Sequence, residues 1–266
     1  MPDEYLALLK KAKLDEVKEF HRRFYGADHA TFAAVGDFDT AELQALVIRL
    51  LGDWKSSEAY LRIVDRTKVA TPINKTLETP DKANALFAAG TDFALQDVDP
   101  DYPAFLMANY LFGGGSLRSR LADRIRKKDG LSYGVGSGFT ASSREPAAQW
   151  IATAIFAPQN SARLDTALRE EVERARKDGF SKDELEEGRR AWLQGREVSR
   201  SQDAPLAGKL SAYLDLGRTM AFDAELDRKV QALGAEQVSA AFRRYLDPTG
   251  LSVVKAGDFA TKKPGT

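Results

Sequence analysis

The sequence contains no cysteine, which removes disulfide staples, thiolate metal sites and cysteine nucleophiles together. Histidine is almost as scarce, with only His21 and His29 among 266 residues. A hydrolytic zinc site needs at least two neutral imidazoles sharing one ion, usually four residues apart on one helix face, with a glutamate as general base. His21 and His29 are eight apart with Gly26 between them, and neither has the required glutamate neighbour. No metal site, and no catalytic residue built around one, is therefore expected in this chain. Excess charge of one sign is missing too. Lys+Arg and Asp+Glu balance at 39 each, which speaks against a nucleic-acid partner. No apolar run approaches the roughly 18 residues of a membrane span. The opening Met-Pro-Asp-Glu lacks the basic and apolar regions of a signal peptide, and the compartment stays open.

What remains is the composition of a globular protein, 43% hydrophobic and 29% charged. Its length suits one large domain or one domain plus a fragment. Two glycine-rich stretches invite a chemical reading and do not sustain it. Gly134–Gly138 (GVGSG) superficially resembles a serine elbow, but both histidines precede it by about a hundred residues. The triple glycine 113–115 before a basic helix lacks phosphate-loop spacing and a strand leading into it.

The most informative feature is an internal repeat. Residues 14–38 (LDEVKEFHRRFYGADHATFAAVGDF) align without a gap on residues 235–259 (AEQVSAAFRRYLDPTGLSVVKAGDF) at one offset, 221 positions (238 − 17). Val17 meets Val238, Arg22-Arg23 meet Arg243-Arg244, and Gly36-Asp37-Phe38 meet Gly257-Asp258-Phe259. Val17, Phe20 and Phe24 recur at helical spacing, and residues 30–35 form a small apolar run suited to a buried strand. Both copies are expected to form the same helix–turn–strand, in two different sheets. The repeat predicts that residues 1–55 are the C-terminal part of a preceding homologous α+β domain, 56–74 a linker containing Pro72, and 75–266 a complete α+β domain.

Within that domain, residues 84–93 read as a strand and 102–112 as a buried helix broken at the triple glycine. Ser116 is expected to cap a second helix with the stripe Leu117, Leu121 and Ile125. In 131–139 the alternation places Leu131, Tyr133, Val135 and Phe139 on one face of a strand, and Ser132, Gly134, Gly136 and Gly138 on the other. The glycines leave a flat surface for close approach of a neighbouring backbone. Residues 149–156 pair with that strand across a turn at 142–146. Helices follow: a stripe of Leu164, Leu168 and Val172 stopped at Gly179, a capping box Ser181/Glu184 opening the next, and others near 206–216 and 224–233. The order indicates an α+β fold, an antiparallel-rich mixed sheet with helices packed on one face.

The segment SRLADRIRKKDGLSYGVGSGF resembles the signature of the second, non-catalytic half of the pitrilysin/insulinase zinc metallopeptidases, whose zinc motif is H-x-x-E-H. In that family an arginine ending a helix is followed seven residues later by a tyrosine opening a glycine-containing strand; the matching residues are Arg126 and Tyr133. Phe24-Tyr25-Gly26 through Phe38 is similar to the family's domain closure. The resemblance implies a mitochondrial-processing-peptidase-like domain, inactive alone, that supplies Arg126 and Tyr133 to a peptide substrate. Zinc would then sit in a partner catalytic half or subunit, on the same or another polypeptide. Two alternatives stand beside it. Arg126 can pair with Asp123 while Tyr133 merely packs, and the chain can be a structural or assembly module sharing the fold without any role in proteolysis.

Overall fold

The computed structural model describes residues 2–64, 70–115 and 118–260. The expected cap Ser116 and stripe residue Leu117 lie outside the described residues. The chain forms two compact units, Met1–Ile63 with Ser199–Met220, and Val64–Val198 with Ala221–Thr266.

The first unit holds helices α1 (Pro2–Lys11), α2 (Leu14–Phe24) and α3 (Thr40–Leu51), together with α7 (Asp203–Asp215). Asp39 starts α3 by accepting the Glu42 backbone N–H at 2.8 Å, the side-chain cap that an orphan first-turn donor needs. The strand expected over 30–35 does not form: these residues lie outside any helix or strand. Hydropathy marked an apolar run, but a strand exists only where a neighbour completes its ladder.

The second unit is built on strands β1 (Asn74–Glu78), β2 (Ala85–Phe93), β3 (Ser132–Ala141), β4 (Ala148–Phe156) and β5 (Ser252–Gly257). Their spatial order is β1-β5-β2-β4-β3; β1 runs parallel to β5, and the other pairs are antiparallel. Strand β4 alternates strictly, burying Ala148, Trp150, Ala152, Ala154 and Phe156 against the helices. Those helices are α4 (Tyr102–Asn109), α5 (Ser161–Asp178), α6 (Lys182–Arg200), α8 (Met220–Ala232) and α9 (Ala235–Tyr245). Helices cover one sheet face. On the other, Leu77, Leu86, Ile151 and Ile155 remain exposed. The fold is α+β, as the sequence indicates.

Several boundaries differ from expectation for physical reasons. Asn74, the last linker residue, opens β1, an edge strand exposed along its whole length and hence without an apolar alternation to betray it. Helix α4 does not break at Gly113 but continues as a π-helical turn, Tyr110–Gly114. A side chain at Gly113 would come within 2.3 Å of Ser137 Oγ, so only glycine lets this turn press on β3. The Ser181/Glu184 box forms in both directions, Ser181 N–H donating to Glu184 Oε2 (2.8 Å) and Glu184 N–H to Ser181 Oγ (3.1 Å).

Arg120 joins that helix start to the core. Its guanidinium donates to both Glu184 oxygens (2.8 and 2.9 Å) and to the Gly179 carbonyl, and lies 4.5 Å over the Phe180 ring. Burial pushes the Glu184 carboxyl up, but the Arg120 hydrogen bond and the Ser181 N–H outweigh it and hold it below its ordinary 4.5. A carboxylate held low stabilises the fold above its ordinary value and loses that contribution as pH falls through its lower folded value. The melting temperature of the wild type should therefore drop more steeply below about pH 4.5 than that of Glu184→Gln. Parallel melting profiles from pH 6 to 3 would count against it.

Candidate functional site

The segment between Leu121 and Val135 brings Arg126 and Tyr133 together by four local devices. Leu121 and Ile125, at 0% and 1% exposure, anchor one side of a π-helical turn, Ala122–Lys128, into the core. The wider turn is closed by Asp129 N–H donating to the Arg124 carbonyl (3.0 Å), five residues back. Gly130 then takes φ +61°, which any L side chain would resist, and reverses the chain. Leu131, buried, drops back onto the core while its N–H donates to the Ile125 carbonyl at 2.9 Å.

The fourth device is a β-bulge. Ser132 pairs with Phe156 and Gly134 with Ile155, so Tyr133 is the extra residue between two neighbouring partners. This corrects the expected alternation. Ser132 lies on the core side, buried, with its hydroxyl 2.8 Å from the Gly134 carbonyl and 2.7 Å from that of Ile155. Val135 and Phe139 also pack on the core, but Tyr133 leaves their face and is 85% exposed. Gly134, Gly136 and Gly138 do share a face, pairing with the exposed Ile155, Thr153 and Ile151. At Gly134 an added Cβ would meet nothing within 4 Å, whereas at Gly136 it would come within 3.2 Å of the Gly113 carbonyl oxygen, the close backbone approach expected of this face.

The Arg126 guanidinium sits 4.9 Å from the centre of the Tyr133 ring, a cation–π contact. The alternative pairing of Arg126 with Asp123 is not what the structure shows, because Asp123 is bridged by Lys127 one turn on. Among the described residues Arg126 has no ion pair and the Tyr133 hydroxyl no hydrogen-bond partner. Tyr245 differs in this respect. Its hydroxyl donates to Asp101 at 3.0 Å, and burial together with that carboxylate pushes its pKa up to about 12. The family resemblance singled out Arg126 and Tyr133; nothing in hydropathy marked the bulge or the π turn that places them.

Both histidines lie against aromatic rings. His21 stacks on Tyr25 and Trp54, and His29 stacks on Tyr60 with Asp28 at 3.8 Å. Among the described residues no group of three or more histidine or acidic side chains could hold a metal ion. No helix among them is long and apolar enough to cross a membrane.

Solved structures of the same fold include a peptidase M16 inactive domain from Pseudomonas fluorescens (24% identity, TM-score 0.75), matched over 96% of this chain and 60% of that one. A protease from Helicobacter pylori (15%, TM-score 0.72) is matched over 93% and 59%. The periplasmic protease PqqL from Escherichia coli (19%, TM-score 0.64) is matched over 87% and 25%. The chain thus spans about three-fifths of the length of the first two. No curated protein matches it. The sequence pattern described as the peptidase M16 inactive domain matches residues 11–191, and the chain belongs to that family.

Proposed function

We propose that the chain is the peptide-holding, non-catalytic part of a zinc peptidase, with Arg126 and Tyr133 turned toward the substrate and zinc carried by a separate catalytic half or subunit. The observation that carries this reading is the pair itself: a guanidinium stacked on an 85% exposed tyrosine whose hydroxyl is uncommitted. The bulge, the π turn and left-handed Gly130 all serve to hold it clear of the core. Such devices cost backbone energy and gather where geometry matters. An exposed phenol can donate to a peptide carbonyl oxygen, and the bond strengthens as that oxygen gains charge. Stacking fixes the guanidinium plane and leaves its N–H groups free to grip a peptide carbonyl or carboxylate.

The test uses the chain assembled with its zinc-bearing partner and an internally quenched peptide library as substrate. Arg126→Ala should raise KM and lower kcat, for a total loss in kcat/KM of about tenfold or more, the worth of one charged hydrogen bond at about 1.5–3 kcal/mol. Unchanged constants with folding intact would hand the chain to the scaffold reading, in which the fold only supports assembly.

A further inference from the structure

The sheet face that no helix covers carries a cleft of about 490 Å³, within the roughly 300–1,000 Å³ of pockets that take ligands. Ladder register sets its floor. Gly90 pairs with Ile151 on one side and Ser252 on the other, and Ala88 lies between Thr153 and Val254. The central side chains are small, and the hollow follows from that. Gly90 cannot fill it, because an added Cβ there would come within 2.9 Å of the Trp150 carbonyl oxygen. Ala70 and Pro72 form one wall. Ile73 holds that wall in place: its carbonyl accepts the Val253 N–H at 2.7 Å, and its N–H donates to Ser252 Oγ at 3.3 Å. At the end beyond Gly90 stand Asp92 and Gln149, joined by Gln149 Nε2 donating to Asp92 Oδ1 at 3.0 Å.

Among the described residues that line the cleft, Asp92 alone is charged, and its second carboxylate oxygen accepts no hydrogen bond. An apolar hollow with one carboxylate at its rim favours an apolar side chain with a positive charge beside it, and repels an acidic neighbour. The cleft also lies at a fixed distance from Tyr133. The bulge sets Tyr133 at the Ile155 end of β4, whereas the cleft centres on Ile151. Four residues along the strand (155 − 151) at about 3.3 Å each, and two strand spacings of about 4.8 Å, make roughly 16 Å on the diagonal. That line crosses β4 at the exposed Thr153 rather than at a large side chain. An extended peptide covers it in about five residues.

We propose that this cleft seats an apolar side chain of the substrate peptide about five residues from the bond that Tyr133 addresses, and that Asp92 selects a basic residue next to it. The proposal rests on the reading of Arg126 and Tyr133 as substrate-facing and adds to it a specificity-determining position far from the cleaved bond. Ala88 and Gly90 shape the seat, and Asp92 sets its charge preference. A peptide too short to span from Tyr133 to Gly90 forgoes the contact and is a poorer substrate.

The test uses the chain assembled with its zinc-bearing partner and one quenched peptide cleaved at a known bond. A Leu-Lys pair is moved stepwise away from that bond, on either side, through the peptide. On one side kcat/KM should peak about tenfold above the other placements when the leucine stands about five residues away, the worth of one apolar side chain in a pocket. Ala88→Trp, which fills the hollow from the solvent face, should flatten the peak. Asp92→Lys should reverse the charge preference at that placement, so that Leu-Glu is cleaved faster than Leu-Lys, a gain that damage to the fold cannot mimic. A flat profile in the wild type, or an unreversed preference in Asp92→Lys, would overturn the proposal. Either result with Tyr133→Phe still slow in turnover removes the cleft alone, whereas wild-type turnover by Tyr133→Phe removes the reading on which it rests.

Discussion

Replacing Tyr133 by phenylalanine should lower kcat of the assembled peptidase about 100-fold, the usual effect of removing one oxyanion donor, with KM nearly unchanged. The ring would stay where it is, because Arg126 stacks on its face 4.9 Å away and phenylalanine offers the same face. Only the hydroxyl is lost, and no group among the described residues depends on it, so the melting temperature should hold. A ground-state contact would appear mainly in KM; a bond that strengthens as the carbonyl oxygen becomes charged appears in kcat. Tyr245→Phe is the control. It breaks the hydrogen bond to Asp101 between α9 and the start of α4, and should change stability but not turnover. Steady-state kinetics on quenched peptides checks both, and wild-type turnover by Tyr133→Phe would remove Tyr133 from the proposed role.

Arg196→Met should destabilise the second unit by about 3–5 kcal/mol, because it removes one partner of a buried ion pair. The Arg196 guanidinium lies 2.7 Å from Asp223 Oδ1, also bridges Asp227, and rests 4.7 Å over the Trp192 ring. The Asp223 side chain is 1% exposed, so water cannot replace the lost cation. Methionine keeps much of the arginine volume, and the loss then reports charge rather than a cavity. Adding Asp223→Asn should restore part of the stability by removing the buried charge that Arg196 balances. The exposed pair Arg228–Glu225 sets the contrast: Arg228→Met should leave the urea midpoint close to wild type. A midpoint for Arg196→Met as small in shift as that of Arg228→Met would show the cluster to be dispensable.

How far the sequence spoke depended on whether the relevant signal was periodic. The strand expected over 149–156, the stripe Leu164–Leu168–Val172 and the Ser181/Glu184 box all formed. The repeat was visible because residues match at a single offset of 221, and the two helices it marks have the same bounds at that offset. Strand β1 was missed because both its faces meet solvent. The bulge was missed because a single inserted residue leaves period-two hydropathy intact while reversing which side Tyr133 faces. The π turns were missed since hydrogen-bond register leaves no mark on composition. Arg126 and Tyr133 were singled out by the family resemblance; the reason they meet lies in those two irregularities.

The position of β5 governs how the second unit can be made. Strands β1 and β2 are neighbours in sequence but never touch in the sheet; each is held through β5, where Asn74 pairs with Val253 and Leu86 with Ala256. On a ribosome, β2, β4 and β3 can assemble as soon as residue 156 emerges. The flank of β2 then stays open until residues 252–257 are synthesised, and at about 5–20 residues per second that wait lasts several seconds or more. Throughout it, an unpaired edge carrying Phe87 and Ala89 is available to any other nascent chain. Yield during expression, rather than the stability of the finished protein, is therefore where mutations that weaken β5 would first be felt.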